Sequence, residues 1–202
     1  RMHNAHMAHV EKEMKKSLAL VLALLSAAVL HAEWGFKSST VITNGNWEIG
    51  VSVKNDVDTT LTSYVAGSGT LDLRKFTEET GCKVRSLGAI FRSNPVVSEI
   101  ILADADLTTL ASYGFQNCYS LQSITPFFPP SVTLMGSYAF QNCTNLVGDL
   151  AITNMASVSA AAFTSTRITS ARLCEQLVSL NGAFNGCYSL TNVTPSFPPT
   201  LE

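Results

Sequence analysis

Apolar residues return along the second half of the chain at a spacing that neither a helix nor a single strand would impose. Phe91, Phe115, Phe140, Phe163 and Phe184 follow one another at intervals of 24, 25, 23 and 21 residues. An aliphatic residue falls six positions after most of these phenylalanines (Val97, Leu121, Leu146, Leu190), and another nine positions after (Ile100, Ile124, Val193). A second motif, aliphatic-x-x-aliphatic, ends three or four residues short of each phenylalanine, as Val84/Leu87, Leu107/Leu110, Val132/Met135, Met155/Val158 and Leu177/Leu180. The third copy slips, with Asp149 at the expected aliphatic position and Leu150 one residue late, and the fourth is one residue short, so that Ile168 stands in for the leucine. The clearest pair of copies is YGFQNCYSLQSITPFFPP at 113–130 and GAFNGCYSLTNVTPSFPP at 182–199, identical at ten of eighteen positions.

Such a period predicts a stack of coils. One coil of about two dozen residues cannot bury its own apolar stripe, and the neighbouring coil supplies the missing half. Phe91, Phe115, Phe140, Phe163 and Phe184 are then expected to share one dry interior line, with Cys118, Cys143 and Cys187, each three residues after its phenylalanine, as a parallel column of small buried groups. Prolines after the strand positions, Pro126 and Pro195, stop the strands.

Residues 33–83 lack the period. WEIGVSVKNDV at 47–57 and TLDLRKF at 70–76 alternate apolar and polar residues, which predicts strands, and an N-terminal β cap covering the first coil is the economical arrangement. Ahead of it, residues 14–32 read as a Sec-type signal peptide. Two lysines precede an apolar run from Leu18 to Leu30, with Ala32 or Ser26-Ala27-Ala28 offering cleavage sites. That run is too short for a permanent membrane span, which needs about 20 apolar residues. Residues 1–13 read as an upstream extension without structure of its own. At the other end PPTLE stops one residue into a further repeat, so the repeats at 84–202, about five in number, are expected to be C-terminally incomplete.

Composition narrows the function. The chain is 46% apolar and only 14% charged, so its surface is covered by small neutral polar groups, which suits extracellular repeat proteins. Setting aside the first 32 residues leaves 9 basic and 13 acidic residues, and no basic stripe to drive nucleic-acid binding. All four histidines, His3, His6, His9 and His31, lie in that leader, which excludes Ser-His-Asp and Cys-His catalysis and His-ligated zinc from the mature part. The remaining lysines are few and the carboxylates scattered, so no enzyme site, metal site or cofactor is expected.

The three aligned cysteines form a line interrupted at Thr166, not the tetrahedral cluster that zinc wants. A disulfide between Cys118 and Cys143 is conceivable in an oxidising compartment, while Cys82 and Cys174 fall outside the column. Asp56/Asp58 and Asp104/Asp106 pair carboxylates in a way compatible with calcium, but no third oxygen cluster completes either site, and solvated turns are the preferred reading. Trp34 and Trp47 read as core residues of the cap, and Asn142-Cys143-Thr144 and Asn192-Val193-Thr194 match glycosylation acceptors.

The repeat resembles the BspA-like leucine-rich repeat family, whose units read roughly I-x-x-x-AF-x-x-C-x-x-L-x-x-I-x-x-P. The resemblance is carried by AFQNCTNL at 139–146 and AFNGCYSL at 183–190, with Pro126 and Pro195, and it covers residues 84–202. It implies an α/β solenoid: a right-handed leucine-rich-repeat coil with a short-stranded parallel sheet on one side and AF-x-x-C turning back as a short helix or irregular arc. It also implies a non-catalytic bacterial protein, secreted or at the cell surface, that binds an extracellular protein or glycan through its strand face. The outward positions of that face include Glu99, Ile101, Ser123, Thr125, Asn192 and Thr194. A spacer presenting a domain beyond residue 202, or a self-associating surface component, are the alternatives.

Overall fold

Coil-to-coil pairing organises the protein on two sides. In the computed structural model the described residues are 34–39, 41–54, 58–74, 76–102 and 107–194. The signal-peptide and extension readings at 1–32, Asp56, Asp104, Asp106 and Pro195 lie outside them.

From Gly35 the described residues form an antiparallel meander of β1 (Gly35–Ser38), β2 (Val41–Thr43), β3 (Glu48–Lys54) and β4 (Asp58–Ala66). β4 pairs in parallel with β6 (Lys83–Leu87), which continues through β8 (Thr109–Leu110) to β10 (Leu134–Met135), making one seven-stranded sheet. The opposite side carries two parallel sheets. The first holds β5 (Gly69–Asp72), β7 (Val97–Ile101) and β9 (Ser123–Thr125); the second holds β11 (Val147–Ile152), β12 (Arg167–Leu173) and β13 (Asn192–Thr194). The first three periods thus supply a strand to both sides, while the last two meet on the first side only through a bridge between Ser157 and Ser179. The resemblance implied strands on one side only.

The segment around each phenylalanine joins the two sides, and it is an arc of turns. Among the described residues helix is confined to α1 (Phe76–Thr80) and a single 3-10 turn at Ala89–Phe91. The repeat region is therefore a β-solenoid, and the expected α/β class does not hold.

The backbone explains why. Residues two before the phenylalanine (Tyr113, Tyr138, Ala161, Gly182) and two after it (Ser93, Asn117, Asn142, Ser165, Gly186) have positive φ, between 53° and 70°. A left-handed residue every fourth position stops a right-handed helix from propagating. Alternate amides then turn outward along the stack. Tyr113, Phe115 and Asn117 donate to the carbonyls of Ser137, Ala139 and Gln141 at 2.7–2.9 Å, and Tyr138, Phe140 and Asn142 repeat the pattern to Ala160, Ala162 and Thr164. The intervening amides of Gly114, Gln116 and Cys118 bond back to Ala111, Tyr113 and Phe115 within their own coil. These arc amides are satisfied without a helix. Asparagine, serine and glycine suit left-handed positions. Tyrosine does not, and at Tyr113 and Tyr138 it costs about 1–2 kcal/mol relative to glycine.

Phe91, Phe115, Phe140, Phe163 and Phe184 stack as parallel rings, the first four buried and Phe184 half-buried, with centroids 5.4, 5.1, 5.6 and 5.6 Å apart and interplanar angles of 3–11°. Trp47 stands edge-on to Phe91 at 6.1 Å and its Nε1 donates to the Thr70 carbonyl, tying the meander to the first ring. Trp34 is likewise buried, edge-on to Phe76, with Nε1 donating to the Asp72 carbonyl.

The slip legible at Asp149 is a β-bulge. Val147 N donates to the Gln122 carbonyl as if β11 were to follow β9, but pairing with β12 shifts register between Gly148 and Asp149. Gly148 sits at φ +125°, with the Phe127 ring 3.6 Å from where a Cβ would be. Phe128 is buried against Phe140 and Phe163. The Pro-Phe-Phe segment after β9 thus packs against the core where the first of these sheets ends and the second begins.

The central ring carries the largest energetic load. Phe140→Ala should lower unfolding free energy by about 3–5 kcal/mol in urea titrations, whereas Val147→Ala, on an exposed side chain, should change it by less than about 1 kcal/mol. Gly136→Ala should also be costly, since its Cβ would fall 2.1 Å from Ser112 N. Equal midpoints for all three variants would contradict this packing.

Candidate functional site

The strands opposite the seven-stranded sheet present two outward ranks, because their inward positions are taken by Leu71, Ile100, Ile124, Leu150, Ala171 and Val193. In the first rank Thr70, Glu99 and Ser123 lie directly opposite one another; in the second Asp72, Ile101 and Thr125 do. Thr70 Oγ1 and Ser123 Oγ both donate to the Glu99 carboxylate, at 3.0 and 3.3 Å. Asn192 and Thr194 belong to the other sheet, opposite Ser170 and Arg172 of β12, which in turn face Asp149 and Ala151 of β11. The structure thus brings Glu99 to Ser123 and Ile101 to Thr125, and it does not place Asn192 or Thr194 beside them.

Asp149 takes the role in its sheet that Glu99 takes in the first, accepting from Ser170 Oγ and Thr169 Oγ1. Sequence reasoning missed Asp149, Ser170 and Arg172 as outward residues. The signal was present: moving the outward positions by the same one-residue slips that displace Leu150 and Ile168 lands on all three. Each carboxylate is pre-ordered by hydroxyls donated from neighbouring coils, which lowers the ordering cost of a polar contact. Thr125, Asn192 and Thr194 are exposed, while Glu99, Ile101 and Ser123 are half-buried.

The cysteine column is structural. Cys118, Cys143 and Cys187 are buried and donate Sγ–H to the carbonyls of Phe91, Phe115 and Phe163, one coil earlier, at 2.7, 2.9 and 3.0 Å. Cys174 does the same to Met155. Thr166 fills the missing place, with Oγ1 3.4 Å from Cys187 Sγ, and Asn94 fills the first, its side chain accepting from the amides of Val96 and Val97. All five cysteines are free thiols. The side-chain hydrogen bond with Cys118, and then burial, push the Cys143 thiol far above its ordinary value of 9.0, so it stays protonated and is no nucleophile. Among the described residues no cluster of His, Cys, Asp or Glu could hold a metal ion, and no helix is long and apolar enough to cross a membrane.

Comparison with known proteins agrees with this geometry. The BspA type leucine-rich repeat region matches residues 88–201 in six copies, and the chain belongs to that family. The fold is similar to a leucine-rich repeat protein from Bacteroides ovatus, at TM-score 0.65 and 22% identity, covering 76% of this chain and 41% of that one. It is also similar to a T. pallidum leucine-rich repeat protein, at TM-score 0.56 and 20% identity, covering 72% and 78%. The chain therefore spans about two fifths of the length of the Bacteroides ovatus protein. No curated protein matches it. Family and fold define a repeat scaffold of the protein-interaction type, a class that is generally non-catalytic.

The protonated Cys143 thiol gives a pH signature. Below pH 9 unfolded and folded chains both hold the Cys143 proton; above it the unfolded chain releases a proton that the fold retains, so stability falls as pH rises. Stability from urea titrations should drop above about pH 9, by up to about 1.4 kcal/mol per pH unit for this one thiol. Cys143→Ser should flatten the drop, and an unchanged slope in that variant would contradict the assignment.

Proposed function

We propose that this chain is a non-catalytic scaffold, secreted or displayed at the cell surface of a bacterium, that binds an extracellular protein or glycan across the strand face. The observation that carries the reading is the pair of outward ranks, in which Glu99 and Asp149 are each fixed by hydroxyls from an adjacent coil. A flat array of short polar side chains with two oriented carboxylates suits an extended polar partner better than a small molecule, which needs a concave pocket. The family supports the location, since its members are typically surface or secreted bacterial proteins, and residues 14–32 would serve as the export signal. In this reading the meander β1–β4 shields the first coil, with Trp47 as its plug against Phe91, and spares the solenoid an apolar end facing water.

The test is surface plasmon resonance of the immobilised chain against purified extracellular matrix proteins and glycans. A genuine partner should bind saturably and lose at least about tenfold in affinity to the combined variant Glu99→Ala, Ser123→Ala, Asp149→Ala and Arg172→Ala, at unchanged Tm. Binding that is indifferent to all four substitutions would place the contact elsewhere on the coil.

A further inference from the structure

We propose that the arc side of the solenoid carries a separate site for an acidic oligosaccharide, built on Arg92, Tyr113 and Tyr138. It does not rest on the strand-face reading, because the arcs occupy a different side of each coil.

Charge separates the two sides. The arcs at 88–96, 111–122, 136–147, 159–166 and 181–191 contain no aspartate or glutamate, and Arg92 is their one charged residue, with Arg167 at the start of β12 beside them. The strand face carries Asp72, Glu99 and Asp149. Among the described residues no carboxylate pairs with Arg92 or Arg167. An anion meets no carboxylate along the arcs, whereas on the strand face it meets Glu99 and Asp149 as well as the cation Arg172.

The exposed Arg92 is already positioned. Its guanidinium carbon lies 4.9 Å above the Tyr113 ring, and Tyr113 stacks on Tyr138 at 5.2 Å with an interplanar angle of 8°. A guanidinium held on a ring keeps its N–H fork available for a carboxylate at little ordering cost. In the next two coils the position of these tyrosines is filled by Ala161 and Gly182, so no aromatic ring or cation of the described residues continues the stack beyond Tyr138. The C–H face of a pyranose fits such a terminus. Arg92 and the far side of Tyr138 are separated by both spacings, 4.9 and 5.2 Å, which calls for a chain of sugars instead of a monosaccharide. The same two coils are also joined by side-chain amides, Gln116 bonded to Gln141 at 2.6 Å and Asn142 to Asn117 at 2.9 Å, which holds the tyrosine rungs in register.

The backbone supplies an independent argument. Tyr113 and Tyr138 occupy left-handed positions, φ 61° and 60°, where bulky residues are outliers and where this same chain elsewhere uses glycine and alanine. Strain held at two consecutive rungs that folding could have avoided points to a role for the side chains themselves.

The experiment is calorimetric titration of the full chain with hyaluronan hexasaccharide, trigalacturonate and 3′-sialyllactose, each beside its carboxyl-reduced counterpart. At least one acidic oligosaccharide should bind, with the reduced form about tenfold weaker. Arg92→Gln and Tyr138→Gly should each weaken binding by about fivefold or more, while Ser123→Ala on the strand face leaves it unchanged. Because glycine fits the left-handed position, Tyr138→Gly should keep Tm within about 3 °C of the parent. If that variant proves unfolded, the exposed Arg92→Gln decides. No binding of any acidic probe up to ~5 mM, equal binding of the reduced probes, or affinity that survives both substitutions would overturn the proposal.

Discussion

The structure depends on one constraint: each coil must hand its neighbour the same side chain at the same height. The parallel phenylalanine stack is where that constraint is tightest, since rings 5.1–5.6 Å apart leave no room for a smaller or displaced rung without a void. Around it the alternate arc amides and the cysteine thiols both reach one coil along the stack, in opposite directions. Amides donate toward the C-terminal neighbour, and thiols donate back to the carbonyl of the preceding phenylalanine. Stacking, backbone pairing and thiol donation thus enforce the same period from three sides of one residue position.

The deviations show how the fold absorbs error in that period. Phe127 and Phe128 after β9 pack beside the ring stack without breaking it, while the strands on that side divide into two sheets and restart with a bulge at Gly148. The fourth coil has Thr166 at the column cysteine's place and is one residue short, yet Thr166 and Ile168 are both buried and Phe163 keeps its place between Phe140 and Phe184. Strand register is negotiable. The aromatic line is not.

Much of this was legible in the sequence, and the boundary has a physical cause. Period, ring line, the slip at Asp149 and the alternation of strands in the meander all follow from apolar spacing, which reports what must be buried. The arcs were less legible. A short helix and an irregular arc were both left open where left-handed residues allow only the arc, because residue type only weakly encodes positive φ: Asn117, Asn142 and Gly186 carried the signal, but Tyr113 and Tyr138 argued against it. The second strand side was missed for a different reason, since aliphatic-x-x-aliphatic fits a strand and a turn equally well until its partner coil is known. On the strand face, Glu99, Ser123 and Thr125 were reachable from the regular coils, whereas Asp149, Ser170 and Arg172 needed the slip to be carried from inward to outward positions.

A surface made this way is regular in backbone and free in side chain, which is what a recognition scaffold requires: ligands are read by outward residues that the period does not dictate. Amide hydrogen exchange by NMR tests the underlying account most directly. If arcs and rings form one cross-linked stack, the amides of Phe115, Phe140 and Phe163 should exchange only through global unfolding, with the same free energy as the strand amides of Ile100 and Ile124. Exchange of those three amides through local opening, several kcal/mol below the strands, would contradict it.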